Sequence, residues 1–352
     1  MTLHDAIVIG GGQSGLAAAH ALRARGARPL LLEAADRPVG SWPGYYDSLT
    51  LFSPARYSAL PGLPFGGDPE RYPHRDEVVD YLARYATRLD IDLRIGTRVT
   101  GVTTDGPHLL VRTAAGAELH TRTLVAATGA FGRPHRPDLP GLDTFTGTLC
   151  HVADYREPLA YQGKRVIVVG AGNSAVQIAA ELAEHATVTL ASRIPVKFTN
   201  QRPLGKDLHF WFHHTRIDRL PIGRFFPPNF TQPVLDHGPY RAALAAGRPD
   251  RRDLFTDVNG STVTWADGRE EHVDVIILAT GYRPDLPYLG PLGALDGDQR
   301  PLHRAGLSTV HPRLGFAGLE LQRSPASASL RGVGTDARYV VTRLLRQAAR
   351  GA

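Results

Sequence analysis

Ala6-Ile-Val-Ile-Gly10-Gly-Gly-Gln-Ser-Gly15 is the stretch that decides the fold. Four apolar residues make a buried strand and a glycine-rich turn follows. From Leu16 to Arg25 the apolar positions recur at helical spacing, and Pro29-Leu-Leu-Leu-Glu33 resumes a strand. That order predicts a βαβ unit. It recurs at Arg165-Val-Ile-Val-Val169, followed by Gly170-Ala-Gly-Asn-Ser-Ala175, a helix over 174–184 and a strand from Thr187 to Ala191.

Downstream the two copies keep step. The first runs through alternating strands around Asp105-Gly106 and Ala115-Gly116 to Leu124-Val-Ala-Ala-Thr128-Gly129; the second turns at Asn259-Gly260 and Asp267-Gly268 and ends Val275-Ile-Ile-Leu-Ala-Thr280-Gly281. Asn-Gly and Asp-Gly are hairpin signals because those residues tolerate positive φ. A duplicated order of four features is far less probable by chance than one glycine motif. The expected fold is therefore α/β with two Rossmann-like dinucleotide-binding domains. The expected division is 1–150 for the first, 151–284 for the second, and 285–352 returning to the first through a strand over His311 to Gly318 and a helix over 335–350.

In such a unit the first glycine (Gly10, Gly170) permits the tight turn and the second (Gly12, Gly172) lets backbone approach a pyrophosphate. The third position (Gly15, Ala175) lets helix and strand pack closely and accepts alanine. The helix N-terminus, with Gln13 and Ser14 or Asn173 and Ser174, then faces the anion with unpaired N–H groups. Glu33 and Arg193 stand at the same offset from the two turns with opposite charge. A carboxylate there accepts from ribose hydroxyls and repels phosphate, so the first site suits FAD, with NAD as the lesser choice. An arginine does the reverse: its guanidinium pairs with a 2′-phosphate, and Ser192 beside it offers a further donor, so the second site suits NADPH. The Thr128-Gly129 and Thr280-Gly281 strand ends would put small residues where the chain passes the cofactors.

Composition narrows the rest. Net charge is +6 and pI about 9.6, but the arginines are scattered, so nucleic acid is not an expected partner; a small molecule is. Cys150 is the sole cysteine, which excludes an intramolecular disulfide and a dithiol relay and fits a reducing cytoplasm. No apolar run reaches the roughly 20 residues of a membrane span, and no signal peptide is expected. His209, His213 and His214 lack a carboxylate partner motif, so no metal is expected. A proline- and aromatic-rich insertion over 198–250 carries Phe210, Trp211, Phe212, Phe225, Phe226 and Phe230, read either as a substrate-pocket wall or as packing between domains.

The chain resembles the class B flavoprotein monooxygenases, especially the flavin-containing type and its bacterial relatives. Phe145-Thr-Gly147-Thr-Leu-Cys-His151-Val-Ala-Asp-Tyr155-Arg156 is similar to their fingerprint, and Gly40-Ser-Trp42 to their flavin-contacting turn. The resemblance implies that NADPH reduces FAD, that a C4a-(hydro)peroxyflavin forms with O2, and that one oxygen passes to an amine, sulfide or arsenite. Tyr155-Arg156, where Baeyer–Villiger relatives have Trp-Pro, favours heteroatom oxygenation. The segment similar to the family's Leu-x-Thr-Asn stretch reads Leu49-Thr-Leu-Phe52-Ser53; the resemblance then implies either that Ser53 or a backbone group replaces the asparagine as donor beside Phe52, or that the oxygenating intermediate is less stable and more NADPH is spent making hydrogen peroxide. The alternatives are Baeyer–Villiger oxygenation, an NADPH-dependent flavin reductase or NADPH oxidase, and a non-catalytic FAD-binding redox sensor. Assembly is left open, a homodimer included.

Overall fold

A computed structural model describes residues 2–227, 230–236 and 238–350. The two repeats become two parallel sheets. In the first, strands run in the order His303–Arg304, Leu307–Ser308, Leu314–Phe316, Leu124–Ala126, Ala6–Ile9, Pro29–Leu32 and Asp92–Arg94. Its last five strands are parallel, and the first two form an antiparallel edge. The second sheet is parallel throughout: Thr148–His151, Val275–Leu278, Arg165–Val169, Thr187–Ser192 and Asp250–Asp253. Central strands of both are buried along their length, as unbroken Val/Ile/Leu runs covered on both faces must be.

Each repeat also carries its antiparallel meander, Val99–Asp105 to His108–Thr113 to Glu118–Thr121 in one and Asp257–Asn259 to Thr262–Thr264 to Glu270–His272 in the other. The helix after the first turn spans Gln13–Arg23 and that after the second Asn173–Leu182. The amphipathic helix Arg75–Arg88 starts on a capping box made by His74 and Glu77 and buries Val78, Leu82 and Tyr85. The strand Thr148–His151, which spans the expected boundary at 150/151, pairs with Val275–Leu278 of the second sheet.

The C-terminal helix begins at Leu330, five residues before the expected Thr335. Gly332 and Gly334 obscured its start. Neither breaks the helix, because tight packing there demands glycine: a Cβ would lie 2.0 Å from the Ala326 carbonyl oxygen at Gly332 and 2.4 Å from Pro61 Cγ at Gly334. No helix among the described residues is long and apolar enough to cross a membrane.

Candidate active site

Both glycine turns open onto one cleft of about 1980 Å³, roughly twice the upper end of an ordinary ligand site of about 1,000 Å³. The turns are built alike. Gly10 has φ +104° and lies against the end of its closing strand, where a Cβ would come 2.7 Å from Ala127 O. Gly170 has φ +154° and the corresponding distance to Ala279 O is 2.4 Å. The repeated Ala-Thr-Gly ends therefore floor the two turns, and Thr128, Gly129, Thr280 and Gly281 line the cleft. At Gly172 the nearest atom to an added Cβ is Thr231 Cγ2 at 3.9 Å, so no neighbour in the protein requires glycine there. A side chain would instead fill the cradle, and this is the fit expected of a dinucleotide site.

At the first turn Gly12 packs on Gly40, and Trp42 is anchored by its indole N–H, which donates to Gln13 Oε1 at 2.8 Å. Gln13 Nε2 in turn donates to Ala328 O at 2.6 Å, tying the turn to the foot of the C-terminal helix. Ser14 is buried beneath Gly318. Glu33 is 8% exposed, and its two oxygens accept from the N–H groups of Gly11 and Ala35. Its lone pairs on the cleft side remain for ribose hydroxyls. At the second turn Arg193 is exposed on the cleft wall and forms no ion pair among the described residues.

Two expected donors are otherwise engaged. Ser192 is buried and its hydroxyl donates to Ile194 O at 2.7 Å, shaping the chain after the strand rather than offering a proton to a phosphate. Ser53 and Ser58 join hydroxyls at 2.8 Å, and Ser58 lies within 3.0 Å of the Ser53 and Pro54 carbonyls. Either hydroxyl can be the donor of the Ser53–Ser58 bond, which engages Ser53 within its own turn. Phe52 is 38% exposed, lines the cleft, and stacks on His209 with ring centroids 6.1 Å apart. Its carbonyl accepts from the buried Gln201 Nε2 at 2.6 Å.

The fingerprint residues stand behind the cleft and join its halves. His151 is fully buried; Ala153 N–H donates to its Nδ1 at 3.1 Å, so Nε2 carries the proton and donates to Gly281 O at 3.0 Å. Burial holds its pKa below the ordinary value. Tyr155, also fully buried, donates to Glu181 at 2.8 Å. Arg156 reaches across to donate to the carbonyls of Gly44 and Tyr45, beside Trp42. Gly147 has no room for a side chain between Phe145 and Asp274 O, either of which would lie 2.5 Å from a Cβ.

The insertion walls the cleft and packs against residues 52–72 of the first half through Gln201, Asp207 and His213. Phe212, Phe226 and Phe230 line the cleft, whereas Phe225 is 69% exposed and Trp211 donates its indole N–H to Pro203 O at 3.1 Å. His209 is buried with its Nδ1 2.8 Å from Asp207, and among the described residues no group of three or more metal-ligating side chains gathers. Tyr72 donates to the same Asp207 at 2.6 Å. A buried ion pair, Asp218 with Arg331, fastens the insertion to the C-terminal helix beside the cleft, and desolvation lowers the Arg331 pKa to about 10. These partners lie over a hundred residues apart in sequence, and no local signal announces them.

Comparison with known proteins agrees with this geometry. Residues 7–214 match the pyridine nucleotide-disulphide oxidoreductase family. An uncharacterized oxidoreductase CzcO-like from Geobacillus kaustophilus is 31% identical over 97% of this chain and 98% of its own. The indole-3-pyruvate monooxygenase YUCCA1 of Oryza sativa is 32% identical over 80% of this chain and 77% of its own. Among solved structures, a flavin-containing monooxygenase from Stenotrophomonas maltophilia superposes with a TM-score of 0.87 at 31% identity, each chain covered in full. The chain thus belongs to the pyridine nucleotide-disulphide oxidoreductase family and is an oxidoreductase of the class B flavin monooxygenase type.

Proposed function

We propose that this protein is an NADPH- and FAD-dependent monooxygenase that transfers one oxygen atom of O2 to a soft nucleophile: an amine, a sulfide or arsenite. The observation that carries the proposal is one cleft with a fixed carboxylate, Glu33, at one glycine turn and, at the other, an exposed cation, Arg193, that forms no ion pair among the described residues. In this reading the half formed by residues 1–150 and 285–352 holds FAD on Gly10 to Gly15, Glu33, Trp42 and Gly129. Residues 151–284 hold NADPH on Gly170 to Ala175 and Arg193. When bound, the pair supplies reducing equivalents and the activation of oxygen.

The chain's own residues bind, orient and shelter. Helix N-termini after both turns present N–H groups to pyrophosphates, and Glu33 selects an adenosine with free ribose hydroxyls. Phe52, Phe212 and Phe226 give an apolar wall that keeps water from the reacting centre. No acid–base pair is required for a nucleophile that attacks with its own lone pair.

The test is oxygen-dependent NADPH consumption by the flavin-loaded protein, screened with amines, thioethers, ketones, arsenite and, because the rice relative is named for it, indole-3-pyruvate. The expected result is a nucleophile that accelerates reoxidation of the bound flavin and appears with one added oxygen. An ester from a ketone would move the reading to Baeyer–Villiger chemistry. Anaerobic reduction of an added acceptor with no oxygenated product would make it a reductase. Failure of NADPH to bleach the flavin would leave a sensor.

A further inference from the structure

Asp207 precedes the helix Leu208–Thr215 and caps it: its side chain accepts from the His209 N–H at 2.8 Å. The same oxygen, Oδ1, lies 2.8 Å from His209 Nδ1, while Oδ2 accepts from Tyr72 at 2.6 Å and from Gln201 Nε2 at 3.3 Å. A carboxyl group with donors at both oxygens is an ionised acceptor. Burial opposes that state, and the hydrogen bonds from His209 and Tyr72 outweigh it, holding the Asp207 pKa below its ordinary value. Nδ1 of His209 therefore carries the proton, and in the neutral ring Nε2 is a bare lone pair.

That lone pair belongs to the cleft. His209 is 4% exposed, yet it lines the cleft, and its Nε2 neither bonds to a described residue nor is sealed from solvent. Phe52 stacks on the ring, and Phe212 meets it edge-on with centroids 5.7 Å apart. The helix cap needs only the Asp207 carboxylate and a backbone N–H, not an imidazole. An imidazole held at Nδ1 by an ionised carboxylate, with Nε2 open to a ligand space, is an oriented base: the carboxylate fixes the tautomer and stabilises the imidazolium that forms. The other charged or titratable groups around it are His213, against Tyr57 at 5.5 Å, Arg202 beside Tyr72, and the Asp218–Arg331 pair beyond Phe212.

A base serves only a nucleophile whose lone pair is masked by a proton, and a thioether has none to lose. Imidazole and thiol ordinarily titrate about two units apart, imidazole and a lysine-type ammonium group about four. Asp207 is saturated by its donors and Asp218 is paired with Arg331, so neither is left to hold a cationic ammonium. A neutral thiol also suits the aromatic faces of Phe52 and Phe212. We propose that His209, positioned by Asp207, is the base that takes the proton of a thiol in the cleft, and that a thiol is the nucleophile oxygenated there. The S–H bond breaks, an Nε2–H bond forms and both bonding electrons stay on sulfur, which as thiolate is the stronger nucleophile. The imidazolium then returns its proton to the oxygen that sulfur has gained. In sum a thiol, O2, NADPH and one proton give a sulfenic acid, NADP+ and water. The inference rests on the monooxygenase reading and names the substrate class of that same site.

The experiment compares phenylmethanethiol with its S-methyl ether, which has no proton to give. The oxidised, flavin-loaded protein carrying isotope-labelled histidine is first titrated with each by NMR, at a pH where the free ring is neutral. The thiol should convert the His209 Nε2 resonance from bare to protonated, and the ether should not. Oxygenation is then followed in two variants: His209→Asn, which keeps a donor for Asp207 and lacks Nε2, and His209→Gln. Each should lower the ratio of kcat/KM for thiol over ether about 100-fold, the usual worth of a positioned base. Asp207→Asn should lower the same ratio and let the proton of the free ring move to Nε2, read in the same spectra. Flavin content and melting temperature matching wild type separate lost chemistry from lost folding. An Nε2 that stays bare with the thiol, or a ratio unchanged in both His209 variants, overturns the inference and leaves the monooxygenase reading standing. If wild type oxygenates neither compound nor any other nucleophile screened, the monooxygenase reading falls and takes this inference with it.

Discussion

The two glycine turns share a backbone and differ in how their charged partners are held. Glu33 is buried and fixed on both oxygens by N–H groups of its own turn and loop, while Arg193 is exposed on the cleft wall with no ion pair among the described residues. A site whose groups are already ordered loses little freedom on binding and suits a group that stays. An unpaired exposed cation suits a coenzyme that enters and leaves. The same supersecondary unit thus yields a holder in one half and a docking site in the other, through the environment of one residue at one offset.

The sharpest way to break that comparison is Gly15→Ala. The second turn carries Ala175 at this position, yet a Cβ on Gly15 would lie 1.7 Å from Gly10 O. Loss of bound flavin is expected, with destabilisation of about 3 kcal/mol; a yellow protein with an unchanged melting temperature would make the turns interchangeable. Next, Glu33→Ala leaves the N–H groups of Gly11 and Ala35 without their acceptor, and FAD binding measured by fluorescence titration should weaken by about 2 kcal/mol. Arg193→Ala should raise KM for NADPH about tenfold and leave NADH nearly unaffected, since one exposed charge-assisted contact is removed. Equal losses for both coenzymes would reject the 2′-phosphate contact.

The smallest effect lies at the junction. Burial lowers the pKa of His151, with Arg136 and His135 acting in the same direction and the Gly281 carbonyl and Asp154 against it. The unfolded chain therefore binds a proton near pH 6.5 that the folded chain resists. Stability from this group is complete above pH 6.5 and is lost as pH falls toward the lowered folded value. Melting temperature should drop between pH 7 and pH 5.5, and less steeply in His151→Gln. An identical slope would remove His151 as the titrating group.

Much of this was legible in the chain itself. The repeat, both βαβ units, the meanders and the opposed Glu33 and Arg193 could be read because each is a local pattern of apolar period, turn residues and offset. The fingerprint could be recognised, but its role could not: His151, Tyr155 and Arg156 act through Gly281, Glu181 and the 44–45 carbonyls, far away in sequence. The hydrogen bonds that engage Ser192 and Ser53 are hidden from the sequence for a related reason. A hydroxyl has one proton, and at Ser192 the nearby Ile194 carbonyl takes it, while Ser53 shares a bond with the Ser58 hydroxyl.

By itself, then, the sequence determined that two nucleotide-binding units exist and which charge each presents, because backbone conformation and strand burial follow from neighbouring residues. Only the tertiary structure decided that the two turns share one cleft and that the insertion is fastened beside it by Asp218 and Arg331. Those outcomes depend on contacts between segments that are distant in the chain. Their free energy is settled by which groups are left facing one another once both sheets have packed.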